Sequence, residues 1–300
     1  MMEKQINHKG GVTVQASKLT FPGLDVRIEE AQKVQLEILL EFDKLCKKHA
    51  IHYQLFSGTL IGAIRHNGFI PWDDDIDVCM LREEYDRFLA VSAKELDENY
   101  FLQNYHTDKK FQSQYSKIRK NKTRYVENLV QDVEMHQGIF IDVFPYDNVR
   151  PGTLKGKAQR ILIDQLKIIN YCRVMRVNDS EKKKGLRLAK KSAYYLLKAI
   201  PKNKVDRLIT RLACQFNKSD EKFVGELSIS TGKHTYDSFV IKKEFFYDSI
   251  EWDFEGYTFP VPRAYDEVLT KNYGDYMKMP PLEEQEPHHG IVEINFNSEE

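Results

Sequence analysis

The residues with the clearest capacity for chemistry are the aspartates of the stretch 73–77, Asp-Asp-Asp-Ile-Asp. The sequence that follows favours a strand over 76–80, and side chains on a strand alternate between its two faces. Asp75 and Asp77 should therefore point the same way, with Ile76 on the opposite face. Two carboxylates so placed can bind a hard cation through oxygen ligands, as Mg²⁺ prefers.

Asp142 supplies a third carboxylate. It is the one charged residue in the apolar run 138–144, which has the pattern of a buried strand. Burying an unpaired carboxylate is costly, so a bound cation or a basic partner is expected beside it. Together the three aspartates predict a catalytic centre that holds one or two Mg²⁺ ions, with Mn²⁺ as the alternative.

Other interpretations of the acidic stretch were compared with a metal site. An acidic cluster in a loop is usually solvated surface, and this alternative stays open. If Asp73 is position 1 of an EF-hand calcium loop, acidic residues occupy the ligand positions 1, 3, 5 and 12. Its sixth position needs glycine for a sharp turn and is Val78 here, so the calcium loop is excluded.

Ser57 and Gly58 lie at a predicted break between a strand over 52–56 and a helix over 60–66. A small Ser-Gly corner exposes backbone N–H groups at a helix N-terminus, which attract phosphate. The same pair is also an ordinary cap and turn, so alone the signal is weak. A serine nucleophile is excluded, because no Gly-x-Ser-x-Gly motif surrounds Ser57.

The remaining pattern predicts an α+β fold, a mixed β-sheet flanked by helices, rather than strict βαβ alternation. Helices are expected over 27–48 and 83–93, further strands over 100–105, 114–119 and 138–144, and a hairpin over 250–261. The predicted organisation is a polar segment 1–26, a catalytic core 27–150, a basic helical region 151–216 and a C-terminal part 217–300 that completes the domain.

The formal net charge of zero conceals a basic middle. Between Arg150 and Arg211 there are 18 Lys and Arg against four acids, a net charge of +14. One predicted helical face there carries apolar residues at helical spacing, with lysines and arginines largely off it. Its members are Leu186, Ala189, Ala193, Leu196, Leu197 and Ile200. Basic amphipathic helices often lie on anionic membranes. The alternative is a helical cap on the acidic remainder of the chain. Nucleic acid is not expected as a partner, because no recognised binding motif accompanies the charge.

The expected location is the cytoplasm, with peripheral attachment to the inner membrane face. The stretch 1–17 is polar and has no apolar run of signal-peptide type, and no apolar run is long enough to span a bilayer. The four cysteines are far apart and match no zinc or disulfide spacing, which suits a reducing compartment.

Two neighbouring motifs resemble the LicD family. They are Phe-Ser-Gly-Thr-Leu-Ile-Gly-Ala-Ile-Arg-His over 56–66 and Gly-Phe-Ile-Pro-Trp-Asp-Asp-Asp-Ile-Asp over 68–77. The resemblance continues at Phe-Ile-Asp-Val-Phe-Pro over 140–145 and returns in Tyr-Gly-Asp-Tyr-Met over 273–277, in the Pro-Pro pair at 280 and at His288. It covers roughly 27–290. The family is similar to fukutin-type proteins and has the nucleotidyltransferase fold.

The resemblance implies transfer of phosphocholine from CDP-choline to a hydroxyl of a cell-surface glycan or its lipid-linked precursor, of teichoic acid or lipopolysaccharide type. It implies metal binding and catalysis by Asp75, Asp77 and Asp142. The implied substrate-binding residues are Ser57, Gly58, Arg65, Lys117, Arg119 and His288. Among these, Lys117 and Arg119 are assigned to donor phosphate, with an exposed basic strand as the alternative.

Several alternatives stay open within and beyond this family. The donor alcohol is not fixed, so CDP-ribitol, CDP-glycerol or transfer of a nucleotide itself are further candidates. The acceptor's proton is assigned to Asp142, with His288 as the second choice. A non-catalytic, membrane-associated binding module is the third class, and three convergent acids count against it.

Overall fold

A seven-stranded mixed sheet forms the centre of the fold in the computed structural model, which describes residues 24–174, 200–229 and 236–298. The strands are β1 (Gln54–Leu55), β2 (Asp77–Leu81), β3 (Tyr100–Gln103), β4 (Ser116–Lys120), β6 (Phe140–Val149), β7 (Phe223–Glu226) and β8 (Val240–Lys242). Their order is β1-β2-β6-β4-β3, and β7 joins β6 to β8. Strands β2 and β6 run parallel, and the other pairings are antiparallel. The predicted α+β class with a mixed sheet is confirmed.

Strand β6 is the longest strand of the sheet, and all ten of its residues are buried. Its first half pairs with β4 up to Val143, and its second half pairs with β7 from Tyr146 onwards. Pro145 lies between these two ladders, where its missing N–H costs no hydrogen bond on that side. The sequence predicted that the strand would end before this proline. That boundary is wrong, because the change of partner strand accommodates the proline.

Three helices pack beside the first part of the sheet: α1 (Leu24–Lys48), α2 (Ser57–His66) and α3 (Arg82–Glu95). Phe42 of α1 is fully buried and meets Tyr53 and Phe88 edge to face, with ring centroids 4.7 and 5.1 Å apart. Such aromatic pairs add to the free energy gained by burial. The predicted helices are confirmed, with α2 beginning three residues earlier than predicted.

Two further β structures and a helix come from the C-terminal part. The predicted hairpin is confirmed as β9 (Ser249–Phe254) and β10 (Tyr257–Pro262). A pairing that the sequence did not predict joins β5 (Arg124–Glu127) to β11 (Ile291–Asn295), and α6 (Tyr265–Tyr273) follows the hairpin. These elements bring the end of the chain back to the acidic stretch.

The basic region contributes α4 (Leu154–Val174) and α5 (Lys202–Ala213), as its predicted helical character requires. Gln159 of α4 donates to the main-chain oxygens of Leu212 and Ala213, and Asn170 donates to Asp206 of α5. The predicted apolar face over 186–200 lies outside the described residues except for Ile200. No helix within the described ranges is both long and apolar enough to cross a bilayer.

Candidate active site

The strand register places the acids of the predicted centre beside one another. Asp77 on β2 is the direct partner of Asp142 on β6, and Asp142 is in turn the direct partner of Lys117 on β4. Directly paired residues share one face of a sheet, so these three side chains form a row across three strands. Single oxygens of Asp75, Asp77 and Asp142 all lie within 4.8 Å of one another. The three acids that the sequence selected therefore meet in space.

Asp75 reaches this row from outside the strand. The sequence placed it on the same strand as Asp77, but β2 begins at Asp77 and Asp75 lies in the extended segment before it. That segment is still fixed to β6, because the Asp142 N–H donates to the Ile76 oxygen at 2.7 Å. The carboxylate of Asp75 is thus held at the end of β2, next to the row.

Burial raises the pKa values of all three acids. Burial, with like charge from Asp75 and Asp142, raises the pKa of Asp77 well above its usual range. Burial raises the pKa of Asp75 to about 6. The pKa of Asp142 is raised by burial, and Lys117 opposes that rise. A divalent cation would remove the like-charge repulsion, and an all-oxygen ligand set suits Mg²⁺, so the residues present fit the predicted ion.

Lys117 is the basic partner expected for Asp142. Its Nζ lies 2.9 Å from Asp142 Oδ1 and 3.3 Å from the centre of the Phe140 ring. Both charged side chains are nearly inaccessible, at 3% and 4% exposure. Lys117 is therefore part of the acidic centre, because it neutralises one of the three charges there.

A fourth aspartate and a histidine extend the centre. Asp74 is fully buried and accepts hydrogen bonds from the main-chain N–H of His289 at 3.0 Å and from that of His288. The ring Nδ1 of His289 lies 2.9 Å from Asp74 Oδ1, and its Nε2 lies 3.6 Å from Asp75 Oδ2. The neighbouring carboxylates raise the pKa of His289 well above its usual range, although burial opposes this.

The histidine pair shows where the sequence interpretation chose the less suitable member. His288 was the predicted substrate-binding residue, but its side chain is exposed and its contact with Asp74 is made by its main chain. The ring of the next residue, His289, is the one that faces the acids. One signal for His289 was available in the sequence. A buried carboxylate at Asp74 would need hydrogen-bond donors, and the sequence interpretation assigned it none.

The Ser57-Gly58 corner lies directly beside the acids. Gly58 packs so closely that a Cβ there would come 2.8 Å from Asp73 Oδ2. The Ser57 hydroxyl lies 2.6 Å from the Tyr273 hydroxyl. Thr59, one residue further along α2, accepts a hydrogen bond from the Asp77 N–H at 2.8 Å. The start of α2 is thereby fixed against the first residue of β2, as the predicted phosphate-binding corner requires.

Comparison with known proteins identifies the chain's relatives. The family model described as "LicD/FKTN/FKRP, nucleotidyltransferase domain" matches residues 50–158. The lipopolysaccharide cholinephosphotransferase LicD of Haemophilus influenzae is 35% identical over 271 residues, which cover 87% of this chain and 96% of that protein. The chain belongs to the LicD family. Its full-length relative is a transferase.

Two shorter similarities are to uncharacterized proteins. An uncharacterized protein of Rickettsia typhi is 40% identical to the present chain over 66 residues, which cover 22% of this chain and 21% of that protein. An uncharacterized protein of Rickettsia prowazekii is 42% identical over 48 residues, which cover 16% of this chain and 18% of that protein. These matches are too short to bear on function.

Two basic residues of the LicD motifs make contacts within the protein. Arg65 donates from Nη1 to the main-chain oxygen of Tyr276 at 2.7 Å, which ties α2 to the segment after α6. Arg119 is 1% exposed and donates to Gln103 and to the Gly138 oxygen. The alternative of an exposed basic strand is therefore wrong for Arg119, because β4 is covered on both faces. Substrate binding by either arginine stays a prediction.

Proposed function

We propose that this LicD protein transfers phosphocholine from CDP-choline to a hydroxyl of a cell-surface glycan or its lipid-linked precursor, on a nucleotidyltransferase-like fold. The observation that carries the proposal is the convergence of Asp75, Asp77 and Asp142 within 4.8 Å. It occurs in a chain that matches 96% of a lipopolysaccharide cholinephosphotransferase at 35% identity. A non-catalytic role would not require three buried acids of like charge at one point.

The three acids would hold Mg²⁺, which when bound supplies positive charge to the donor pyrophosphate and to the leaving nucleotide. Lys117 lies at the β4 end of the row and limits the negative charge that the protein itself contributes. The corner at Ser57 and Gly58 presents the start of α2 to the donor phosphate. Positioning and electrostatic stabilisation account for most of the acceleration in phosphoryl transfer, and these residues serve both.

Proton removal from the acceptor hydroxyl is assigned to Asp142. Its pKa is raised by burial, so it accepts a proton more readily than an ordinary aspartate. His289 is the neighbouring group best placed to support the site, because Asp74 fixes its ring orientation through Nδ1. His288 is the weaker candidate for this role, because its side chain points away into solvent.

The test is release of CMP from a panel of donors. The purified chain would be incubated with Mg²⁺, a lipopolysaccharide-type acceptor and, in separate reactions, CDP-choline, CDP-ribitol or CDP-glycerol. Release of CMP with CDP-choline, together with label from choline on the acceptor, supports the proposal. Asp75→Asn is the control variant, and its turnover should be abolished while its circular dichroism is unchanged.

Two outcomes would contradict the proposal in different ways. Turnover with CDP-ribitol or CDP-glycerol alone would show that the assigned donor is wrong, while the assigned phosphotransfer reaction would stand. Near-normal turnover by the folded Asp75→Asn variant would remove the metal assignment, because Asp75 is shared between the row of acids and His289.

A further inference from the structure

Helix α4 exposes an apolar face. Leu154 is 86% exposed, Ile161 40% and Ile168 51%. These residues are seven apart, which places them in one line along the helix, about 21 Å long at about 1.5 Å per residue. Leu162 widens the face and is 51% exposed. A large aliphatic surface of this kind on a charged protein marks an interaction site.

The opposite face of α4 carries polar residues into the protein. Gln159 and Asn170 are buried and hydrogen bonded to α5, and Lys167 is buried as well. Helices of soluble proteins usually bury their apolar stripe and expose their polar one. In α4 this arrangement is only partly reversed: Ile163 is buried, whereas Leu154, Ile161, Leu162 and Ile168 are exposed and available to a partner.

The charge around this face favours a negatively charged partner. Lys155 and Lys157 are exposed on either side of the aliphatic line, and the helix belongs to the region that carries a net charge of +14. Helix α5 also exposes cationic residues, which are Lys204, Arg207 and Arg211. Aliphatic residues flanked by lysines are typical of helices that lie in a membrane interface. The central residues of protein–protein interfaces are instead enriched in aromatic residues and depleted of lysine.

A cavity of about 240 Å³ lies at the N-terminal end of this face, where the positive end of the α4 dipole points. Leu154 and Lys157 line it together with Arg150, Arg160, Asp237 and Tyr236. Tyr236 is 6% exposed, and its buried hydroxyl has no hydrogen-bond partner in the part of the chain that the structure describes. Buried hydroxyls are usually hydrogen bonded, and a ligand in the cavity would supply a partner.

The acids near this cavity limit its positive charge. Arg150 is paired with Glu221 at 2.6 Å, and Arg160 with Asp164 at 3.0 Å. Lys157 and the helix dipole are the remaining sources of positive potential, and the Asp237 carboxylate, which also lines the cavity, reduces it further. One phosphate group is therefore a better match to the cavity than a polyanion.

We propose that α4 docks on an anionic membrane surface, with its aliphatic line in the lipid interface and a lipid headgroup phosphate in the cavity at its N-terminal end. The proposal concerns attachment and is independent of which donor the acidic centre uses. It requires that binding depend on anionic lipid, on the aliphatic line and on Lys157.

Vesicle flotation with the full chain tests this proposal. The chain would be mixed with vesicles of phosphatidylcholine alone or with phosphatidylglycerol added, at about 0.1 M salt, where the Debye length is about 10 Å. The double variant Ile161→Ser with Ile168→Ser removes two exposed side chains of the face. The matched control is Leu129→Ser with Leu282→Ser, because these leucines are 74% and 83% exposed elsewhere.

Binding to anionic vesicles is expected, with about tenfold weaker partition for the face variant and an unchanged value for the control. Lys157→Glu should also weaken binding severalfold, since it reverses the charge at the cavity entrance. If these variants lose vesicle binding but still release CMP, membrane attachment is tested separately from the proposed reaction.

Three results would overturn the proposal. The first is absence of binding to anionic vesicles at low salt. The second is equal binding by the face variant and the control, which would assign attachment to the basic charge elsewhere in the chain. The third is a dimer in light scattering that the face variant converts to monomer, which would make a second copy the occupant.

Discussion

Strand β6 carries two buried aspartates whose surroundings differ. Asp147 accepts two hydrogen bonds from Arg82, at 2.9 and 2.7 Å, and one from Asn217 at 2.7 Å. These partners hold the pKa of Asp147 below its usual range. Asp142, five residues earlier and on the other face of the sheet, has Lys117 as its basic partner and two further aspartates beside it, and its pKa is raised.

The difference separates a structural acid from a functional one on the same strand. At Asp147 the protein supplies every partner that the carboxylate needs, so nothing remains for a ligand to neutralise. At Asp142 the protein supplies one lysine but also places two further aspartates beside it, so the local charge is not balanced. Such a local conflict is expected where a ligand completes the site. Burial alone therefore does not distinguish the two aspartates, whereas the balance of partners does.

The comparison is broken most directly by amide substitutions at Asp147 and at Asp77, the β2 residue that pairs with Asp142. Asp77→Asn should lower CMP release at least about 10³-fold, because it removes one ligand from the metal centre. Asp147→Asn should leave turnover per folded molecule within severalfold of the parent. Donor-saturated CMP release, normalised to folded protein, measures both. Equal losses in the two variants would show that the distinction is wrong.

The second prediction concerns stability. Asp147→Asn should reduce the free energy of unfolding by about 3 kcal/mol, because it leaves the buried Arg82 without its carboxylate. Asp77→Asn should leave that free energy unchanged or raise it, since like-charge repulsion is relieved. Urea denaturation gives both values.

A matched control exists for this stability measurement. Glu293 forms a two-point contact with Arg124 in which both side chains are more than 40% exposed. Glu293→Gln should change the free energy of unfolding by no more than about 1 kcal/mol. A loss as large as that of Asp147→Asn would show that burial is not the cause.

The histidine pair gives the third prediction. His289→Gln should lower CMP release about tenfold, because the ring contact with Asp74 and Asp75 is lost. His288→Gln should lower it less than about twofold, since its side chain lies in solvent. A larger effect at His288 would restore the assignment made from the sequence.

The smallest expected effect is a pH dependence of the metal-free protein. Because the pKa of Asp75 is about 6 in the folded chain and near 4 when unfolded, the folded state binds more protons between these values. Stability should therefore increase by about 1 kcal/mol as the pH falls from 7 to about 5 in the presence of a chelator. Asp147, whose pKa is lowered, stabilises the folded state when it is ionised. This stabilisation is lost only as the pH falls below the usual pKa of an aspartate.

The control for this pH effect is Asp75→Asn, which should show a smaller increase in melting temperature over the same pH range. His289, whose pKa is also raised, contributes in the same direction and stays present in that variant. A melting temperature that falls steadily from pH 7 to 5 in the parent would contradict the assignment of raised pKa values to the acids.

Local pattern was sufficient for much of the fold and for the acids of the site. Short apolar runs predicted β2 and the start of β6, and the Glu255-Gly256 pair, whose φ values are 52° and 79° in the structure, predicted the hairpin turn. Asp75, Asp77 and Asp142 could be selected because a charge among apolar strand residues is costly. These are signals carried by a few consecutive residues.

The parts that could not be predicted depend on distant segments. The pairing of β5 with β11 joins Arg124 to Asn295, and no local pattern specifies such a partner. The same closure brings the ring of His289 to Asp74, which no local pattern indicated, and substrate binding by His288 stays a prediction. Lys117 and Arg119 lie on one face of β4 and look equivalent in sequence. Only the register of β4 against β6 determines that Lys117 pairs with Asp142 and that Arg119 donates to the Gly138 oxygen.

Strand β6 also fixes a separation. Its acidic end at Asp142 and the cavity residue Arg150 are eight extended residues apart, about 26 Å at about 3.3 Å per residue. Strand β6 is locked into the seven-stranded sheet up to Val149, the residue before Arg150, so this spacing does not adjust. If the proposed docking of α4 and a lipid-linked acceptor both hold, the sugar chain must span this distance, and the number of sugars between lipid and target hydroxyl becomes a length requirement.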